Sequence, residues 1–90
     1  MTNKTKITVV GSGYVGMSLA VLLAQHNDVV MLDVDAARVD KVNNKQSTVV
    51  DVEIEAYLVK KELSLSATLD KHFAYEGASI VVVATPTNYN

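Results

Sequence analysis

The chain has 90 residues, 49% of them apolar and 20% charged, and a net charge of −2 at pH 7. This is the composition of an ordinary globular domain, and the absence of any dense basic run argues against binding to nucleic acid or to a membrane surface. There is no cysteine, which excludes disulfides, thiolate metal sites and a cysteine nucleophile within these residues. The polar start is unlike a secretory signal, and every apolar run is too short to span a bilayer. We therefore expect a cytoplasmic protein.

The first predicted elements are a strand over residues 7–10 and a helix over about residues 14–25. The strand is apolar apart from Thr8, which is typical of a central parallel strand covered on both faces. Asn27 is predicted to end the helix in a left-handed conformation. Apolar side chains recur at helical spacing in the helix, and we expect them to face the core. They are Val15, Leu19, Leu22 and Leu23.

Three glycines, Gly11, Gly13 and Gly16, lie between the strand and the helix with the spacing G-x-G-x-x-G. The first glycine permits a tight turn, the second lets a pyrophosphate approach the backbone, and the third lets the helix lie close to the strand. The N–H groups of the first helical turn then face the phosphates. Tyr14 lies between the last two glycines, where its side chain either overhangs the pyrophosphate or packs on the adjoining loop. The spacing predicts a dinucleotide site, and the alternative is a turn with a structural role only.

The rest of the chain continues to alternate strands with helices. In chain order we predict a strand over residues 29–32, a helix over 36–43, a helix beginning after residue 51, a strand over 63–68, a helix to about 76 and a strand over 79–84. Asp35, Asp51 and Asp70 are the predicted N-caps, and Phe73 and Tyr75 are predicted to lie in or near the core. This alternation predicts an α/β fold with a Rossmann-like, doubly wound parallel sheet of about four strands in the order 3-2-1-4.

Asp33 ends the second strand, twenty positions after Gly13. Its carboxylate can accept both hydroxyls of an adenosine ribose and would repel a 2′-phosphate, so it favours NAD over NADP. The alternative is a solvated aspartate at a strand end. Arg38 complicates this preference, because a nearby arginine can accommodate a 2′-phosphate. It could instead cover the adenine, reach another phosphate, or lie on an exposed helix face.

The number of predicted strands indicates how much of the domain these residues form. A complete dinucleotide-binding domain has about six strands, so we expect residues 1–90 to be the N-terminal part of an NAD-binding domain, without a substrate domain. A missing fifth strand would leave residues 80–84 as an open apolar edge, which predicts a homo-oligomer formed through that edge.

His26 and His72 have no partner at metal-ligand spacing, so no metal site is predicted.

Three segments of the sequence together resemble the N-terminal part of the UDP-glucose/GDP-mannose dehydrogenase family. The glycine motif with Tyr14 and Val15 inside it, followed much later by an A-T-P-T run, is more specific than the glycine spacing alone. The resemblance covers essentially all 90 residues. The segments are Gly11-Ser12-Gly13-Tyr14-Val15-Gly16, Leu32-Asp33 and Ala84-Thr85-Pro86-Thr87-Asn88.

This resemblance implies an NAD-dependent enzyme that oxidises the C6 alcohol of UDP-glucose to a carboxylate. It implies two hydride transfers, to two NAD molecules, through a thiohemiacetal on a catalytic cysteine. It implies that the glycine motif lines the pyrophosphate, that Asp33 binds the ribose with Arg38 close by, and that Thr85 and Thr87 lie near the nicotinamide. The motif residues carried over are Gly11, Gly13, Tyr14, Val15 and Gly16. The family's catalytic residues and UDP-sugar domain lie beyond residue 90. We therefore predict no catalytic residue here, no activity for these residues alone, and at best weak binding of NAD by them.

Two other readings of the sequence remain open. The first is a related NAD-dependent dehydrogenase of hydroxy acids, hydroxyacyl-CoA or 6-phosphogluconate, against which the Tyr14-Val15 pair and the T-P-T run argue. The second is a regulatory module that binds a dinucleotide without catalysis, although 90 residues are too few for a complete one.

Overall fold

The computed structural model describes residues 5–11, 13–60 and 63–84. Strands and helices alternate along them as predicted, except that the third strand begins at Leu65, two residues later than expected. The elements are β1 (Lys6–Val10), α1 (Tyr14–Ala24), β2 (Asp28–Leu32), α2 (Ala36–Asn43), α3 (Val52–Lys60), β3 (Leu65–Thr68), α4 (Lys71–Tyr75) and β4 (Ile80–Val83). No helix in these ranges is long and apolar enough to cross a bilayer.

The four strands form one parallel sheet in the order β3-β2-β1-β4, which confirms the predicted topology. Val10, the last residue of β1, lies opposite Leu32 of β2 and Val83 of β4. The carboxyl ends of these three strands therefore reach the same edge of the sheet. Residues that follow the strands, such as Gly11 and Asp33, are brought together there.

Helices cover both faces of the sheet, as a doubly wound fold requires. On one face, side chains of α1, α2 and α3 pack against alternate strand residues such as Val9 and Met31. On the other face, Ala74 of α4 packs against Val30 and Leu32. The two central strands, β1 and β2, are buried on both faces, which explains their nearly continuous apolar sequences.

The prediction for the buried face of α1 is partly wrong. Val15 and Leu22 are 58% and 57% exposed, whereas the buried residues of the helix include Met17 and Val21. The helix is apolar almost all the way round, so helical spacing alone could not choose the inward side. The predicted conformation of Asn27 is also wrong. Its backbone φ is not positive, and its side-chain amide donates to the Leu23 carbonyl instead, at 3.0 Å.

All three predicted N-caps are confirmed. Each aspartate accepts a hydrogen bond from the backbone N–H two residues later, at 2.9 Å for Asp35, 2.9 Å for Asp51 and 2.8 Å for Asp70. Such caps satisfy N–H groups that have no partner inside the helix. The first and third caps fix the beginnings of α2 and α4, which both lie beside the sheet edge where the strands end.

Candidate functional site

The turn after β1 depends on the backbone of Gly11. This residue has φ +101°, a conformation that glycine adopts without the steric penalty of a Cβ. Its N–H donates to the carbonyl oxygen of Leu32 at 2.8 Å, which ties the turn to the end of β2. The chain therefore leaves the sheet sharply, directly beside the neighbouring strand end.

Gly16 allows α1 to pack tightly onto this turn. A Cβ at position 16 would stand 2.1 Å from the carbonyl oxygen of Gly11, far inside contact distance, and 3.6 Å from the Cβ of Ala84. Any larger residue would push the first turn of α1 away from the end of the sheet. The predicted close approach of helix and strand is present.

Gly13 has a different environment from Gly16. It is the N-cap of α1, with φ −73° and ψ −169°, and its carbonyl accepts the first helical hydrogen bond, from Met17, at 2.8 Å. A Cβ built at position 13 meets no atom of another described residue within 4 Å, its two chain neighbours aside. The fold therefore does not require a glycine here, and the space in front of this backbone is open to an approaching group.

Asp33 is held at the carboxyl end of β2 by its neighbours in sequence and in the sheet. Its backbone N–H donates to the Thr68 carbonyl at 3.2 Å, which extends the pairing of β2 with β3. One carboxylate oxygen, Oδ1, accepts the N–H of Asp35 at 2.9 Å, the local turn that aspartate commonly makes two residues on. The orientation of the carboxylate is therefore set before any ligand binds.

Arg38 lies in the first turn of α2, with its side chain 50% exposed. Its Nε is 3.9 Å from Oδ2 of Asp35, whose side chain is 52% exposed. An exposed ion pair at this distance contributes little to stability, about 0–1 kcal/mol. The guanidinium is therefore only loosely held.

The glycine turn, Asp33 and Arg38 line one cavity of about 450 Å³ at the carboxyl ends of β1 and β2. This volume is within the range of about 300–1,000 Å³ that is usual for small-molecule sites. Ligands of open α/β sheets bind at this position, outside the carboxyl ends of the strands. The predicted site residues that the structure brings together here are Gly11, Gly13, Asp33 and Arg38.

Other predicted site residues lie elsewhere. Tyr14 is 59% exposed and lines a separate cavity of about 210 Å³ between α1 and α3, together with Asp51 and Tyr57. Val15 lines neither of these two cavities. Thr85 and Thr87 lie outside the described residues, so their predicted place near the nicotinamide is untested.

The sequence did not predict the residues that line the other side of the 450 Å³ cavity. Leu69, Lys71 and Tyr75 come from the loop after β3 and from α4. The prediction that Tyr75 and Phe73 lie in or near the core is wrong, since they are 44% and 52% exposed and Ala74 is the buried residue of α4. The parallel pairing of β3 with β2 is the signal that could have found this side of the cavity, because it places the loop after β3 at the same sheet edge.

A parallel α/β sheet in the order 3-2-1-4, with a glycine turn at its central strand, defines a Rossmann-like dinucleotide-binding fold. The family of this chain within the class can also be named. Residues 5–90 match the NAD binding domain of the UDP-glucose/GDP-mannose dehydrogenase family, and the chain belongs to this family.

Two curated relatives are bacterial UDP-glucose 6-dehydrogenases. The enzyme of Streptococcus pneumoniae is 52% identical over 85 residues, which are 94% of this chain and 22% of the relative. The enzyme of Campylobacter jejuni is 40% identical over 87 residues, again 94% of this chain and 22% of the relative. The chain therefore spans about a fifth of the length of these relatives.

Two solved structures with the same fold are a GDP-mannose dehydrogenase and a UDP-glucose dehydrogenase. A ternary complex of GDP-mannose dehydrogenase from Pseudomonas aeruginosa superposes with a TM-score of 0.82 at 27% identity, covering 93% of this chain and 20% of that one. A UDP-glucose dehydrogenase from Pyrobaculum islandicum superposes with a TM-score of 0.78 at 23% identity, covering 91% of this chain and 20% of that one. The second likeness concerns the fold alone.

Proposed function

We propose that this chain is the NAD-binding part of a UDP-glucose 6-dehydrogenase, which oxidises UDP-glucose to UDP-glucuronate with two NAD. The observation that carries this proposal is the 52% identity to the Streptococcus pneumoniae enzyme across nearly the whole chain. The 40% identity to the Campylobacter jejuni UDP-glucose 6-dehydrogenase supports the same proposal. NAD, when bound, supplies a hydride acceptor.

The pyrophosphate of NAD fits the turn between β1 and α1. The open space in front of Gly13 admits the phosphates, and the N-terminal turn of α1 directs its N–H groups and the positive end of its dipole at them. The first N–H groups of a helix have no partner inside it. Tyr14, Val15 and Gly16 would therefore contribute through their backbone N–H groups, which agrees with the side chains of Tyr14 and Val15 lying outside the cavity.

The adenosine half fits the rest of the cavity. The carboxylate of Asp33, oriented by the N–H of Asp35, would accept the ribose hydroxyls. Val34, Leu69 and Tyr75 offer apolar surface to the adenine ring, and Arg38 borders the same space. A mostly apolar lining, with a few polar groups that fix the orientation of the ligand, is typical of cofactor sites.

The remaining steps of the reaction need residues outside this chain. It contains no cysteine, and the thiol chemistry that the family resemblance implies therefore has no nucleophile here. We propose that the UDP-sugar is bound by regions beyond residue 90, and that residues 1–90 alone do not oxidise it. The predicted cytoplasmic location stays a prediction.

The proposal also includes self-association through β4. This strand pairs with β1 on one side, and no strand among the described residues pairs with its other side. Ile80 and Val83 are 50% and 69% exposed on its two faces. An apolar edge strand with free backbone groups is a template for pairing with another chain.

Two experiments test the proposed function. Calorimetric titration of the chain should show weak binding of NAD and none of UDP-glucose, and absence of binding even at millimolar NAD would contradict the proposal. For the enzyme class, residues 5–90 should replace the matching segment of the Streptococcus pneumoniae enzyme. The chimera should reduce NAD with UDP-glucose, whereas the isolated chain should not. A folded chimera that binds NAD but is inactive with UDP-glucose would favour a different dehydrogenase or a sensor module.

A further inference from the structure

The 450 Å³ cavity, in which we place adenosine, is lined by a second cation, Lys71, in addition to Arg38. Lys71 is the first residue of α4, where the cap on Asp70 fixes the beginning of the helix. Its side chain is exposed, and no ion pair between Lys71 and another described residue is present. The ammonium group is therefore free to meet an anionic ligand.

Arg38 is also available to an anion. Its contact with Asp35 is a 3.9 Å ion pair between two half-exposed side chains, which water and salt screen strongly. The guanidinium fork matches the geometry of a phosphate and can bind it through two parallel hydrogen bonds. A phosphate in the cavity would offer Arg38 a better partner than Asp35 does.

Asp33 is the one carboxylate among the described residues that line this cavity. Its position at the end of β2 is where an acid binds the ribose 2′-hydroxyl and repels a phosphate on the same oxygen. The other lining residues are uncharged apart from Arg38 and Lys71. With the charge of Asp33 removed, the charged lining that the structure describes would be wholly cationic.

We propose that Arg38 and Lys71 form a latent subsite for the 2′-phosphate of NADP, and that Asp33 alone closes it. This inference rests on the proposed function, because it assumes that adenosine occupies this cavity. It adds that the preference for NAD comes from the charge of one carboxylate, and that the shape and remaining charge of the cavity already suit a 2′-phosphorylated adenosine. Lys71, from α4, is then a specificity-determining residue.

The test is an NMR titration of the isotope-labelled chain with NAD, NADP and the small probe 2′,5′-ADP. Asp33→Asn should raise the affinity for NADP at least about tenfold, equivalent to about 1.4 kcal/mol. Adding Lys71→Gln to that variant should remove most of the gain and lower the ratio of NADP to NAD affinity. The gained affinity should also weaken as salt is raised, since it arises from exposed charges. Asp33→Ser is a second variant with the same expected direction.

Lys41→Gln, in the Asp33→Asn background, is the matched control, because Lys41 is exposed on α2 and does not line the cavity. It should leave NADP binding unchanged. An equal loss from Lys41→Gln and Lys71→Gln would contradict the subsite, as would unchanged NADP affinity in folded Asp33→Asn and Asp33→Ser.

The outcomes separate this inference from the proposed function. Wild-type chain that binds NAD, with variants that gain nothing for NADP or 2′,5′-ADP, would overturn the subsite and leave the proposed function standing. Wild-type chain that does not bind NAD would overturn the proposed function. In that case, a gain of 2′,5′-ADP affinity on Asp33→Asn that Lys71→Gln removes would still support the subsite.

Discussion

Gly16 packs so closely on Gly11 that a Cβ at position 16 would stand 2.1 Å from the Gly11 carbonyl oxygen. A Cβ built on Gly13, between them, would have no atom within 4 Å from the described part of the chain outside its two neighbours. The glycines of one motif therefore have separable roles. Gly16 is required by the packing of α1 on the turn. No packing among the described residues requires a glycine at position 13, which leaves room for a group that approaches from outside.

The first prediction concerns Gly16→Ala. The added methyl group meets rigid backbone, so the start of α1 must move, and overpacking of this kind typically costs about 1–3 kcal/mol. We expect the free energy of unfolding, measured by urea denaturation, to fall by at least about 1 kcal/mol. An unchanged midpoint would mean that the turn adapts easily and that the packing role is misassigned.

Gly13→Ala should have the opposite profile. Its φ of −73° is accessible to alanine, and the methyl group enters open space. Replacing glycine at a compatible position stabilises by about 0.4–1 kcal/mol through the unfolded state. Alanine is a poorer N-cap than glycine, which offsets this gain. The variant should therefore have nearly wild-type stability in the same urea titration, yet bind NAD at least about tenfold more weakly because the methyl group blocks the phosphates. Wild-type affinity in this variant would count against a pyrophosphate at the turn.

A third prediction concerns Asn43, at the end of α2. Its side-chain Nδ2 donates to the carbonyl of Ala67 at 3.0 Å, and its Oδ1 accepts the N–H of the same residue at 2.9 Å. The amide thus satisfies both the N–H and the carbonyl of Ala67, in the outermost strand β3. Asn43→Ala should lower the free energy of unfolding by about 0.5–1.5 kcal/mol, the usual net contribution of a hydrogen bond, because Asn43 is exposed and water can reach the groups it leaves. Gln46→Ala, at an exposed position nearby, is the control and should change it little.

The fourth prediction concerns the free edge of β4. Sedimentation should show concentration-dependent association of the chain, and Val83→Lys should reduce it, since a charge on an edge strand opposes pairing. Val59→Lys is the matched control, because Val59 is 75% exposed on α3, away from the edge. Wild-type protein that sediments as a monomer at high concentration would contradict the proposal, as would equal effects of the two lysines.

The sequence predicted those parts of the fold that depend on local chemistry. The N-caps at Asp35, Asp51 and Asp70 were predictable because an aspartate bonds to backbone only two or three residues away. The strand order followed from the handedness of the crossovers. The inward face of α1 was not predictable, since Val15 and Leu22 are as apolar as the residues that are buried.

The candidate site was predictable only where the chain itself brings residues together. Gly11, Gly13 and Asp33 occupy fixed positions at the ends of adjacent strands. Lys71 and Tyr75 reach the cavity through the pairing of β3 with β2, so no local pattern around them indicates a ligand. From sequence, an aromatic residue on a short helix is predicted to be buried in the core. In the structure α4 has only five residues, and Ala74 is the one that is buried.

The most direct test of the dinucleotide site is a titration of the isotope-labelled chain with NAD, followed through its backbone amide signals. We expect saturable shifts at Gly11, Gly13, Asp33 and Arg38, and their loss in the folded Gly13→Ala variant. No shifts at millimolar NAD, or shifts confined to the separate cavity beside Tyr14, would contradict the central claim that the cofactor lies at the carboxyl ends of β1 and β2.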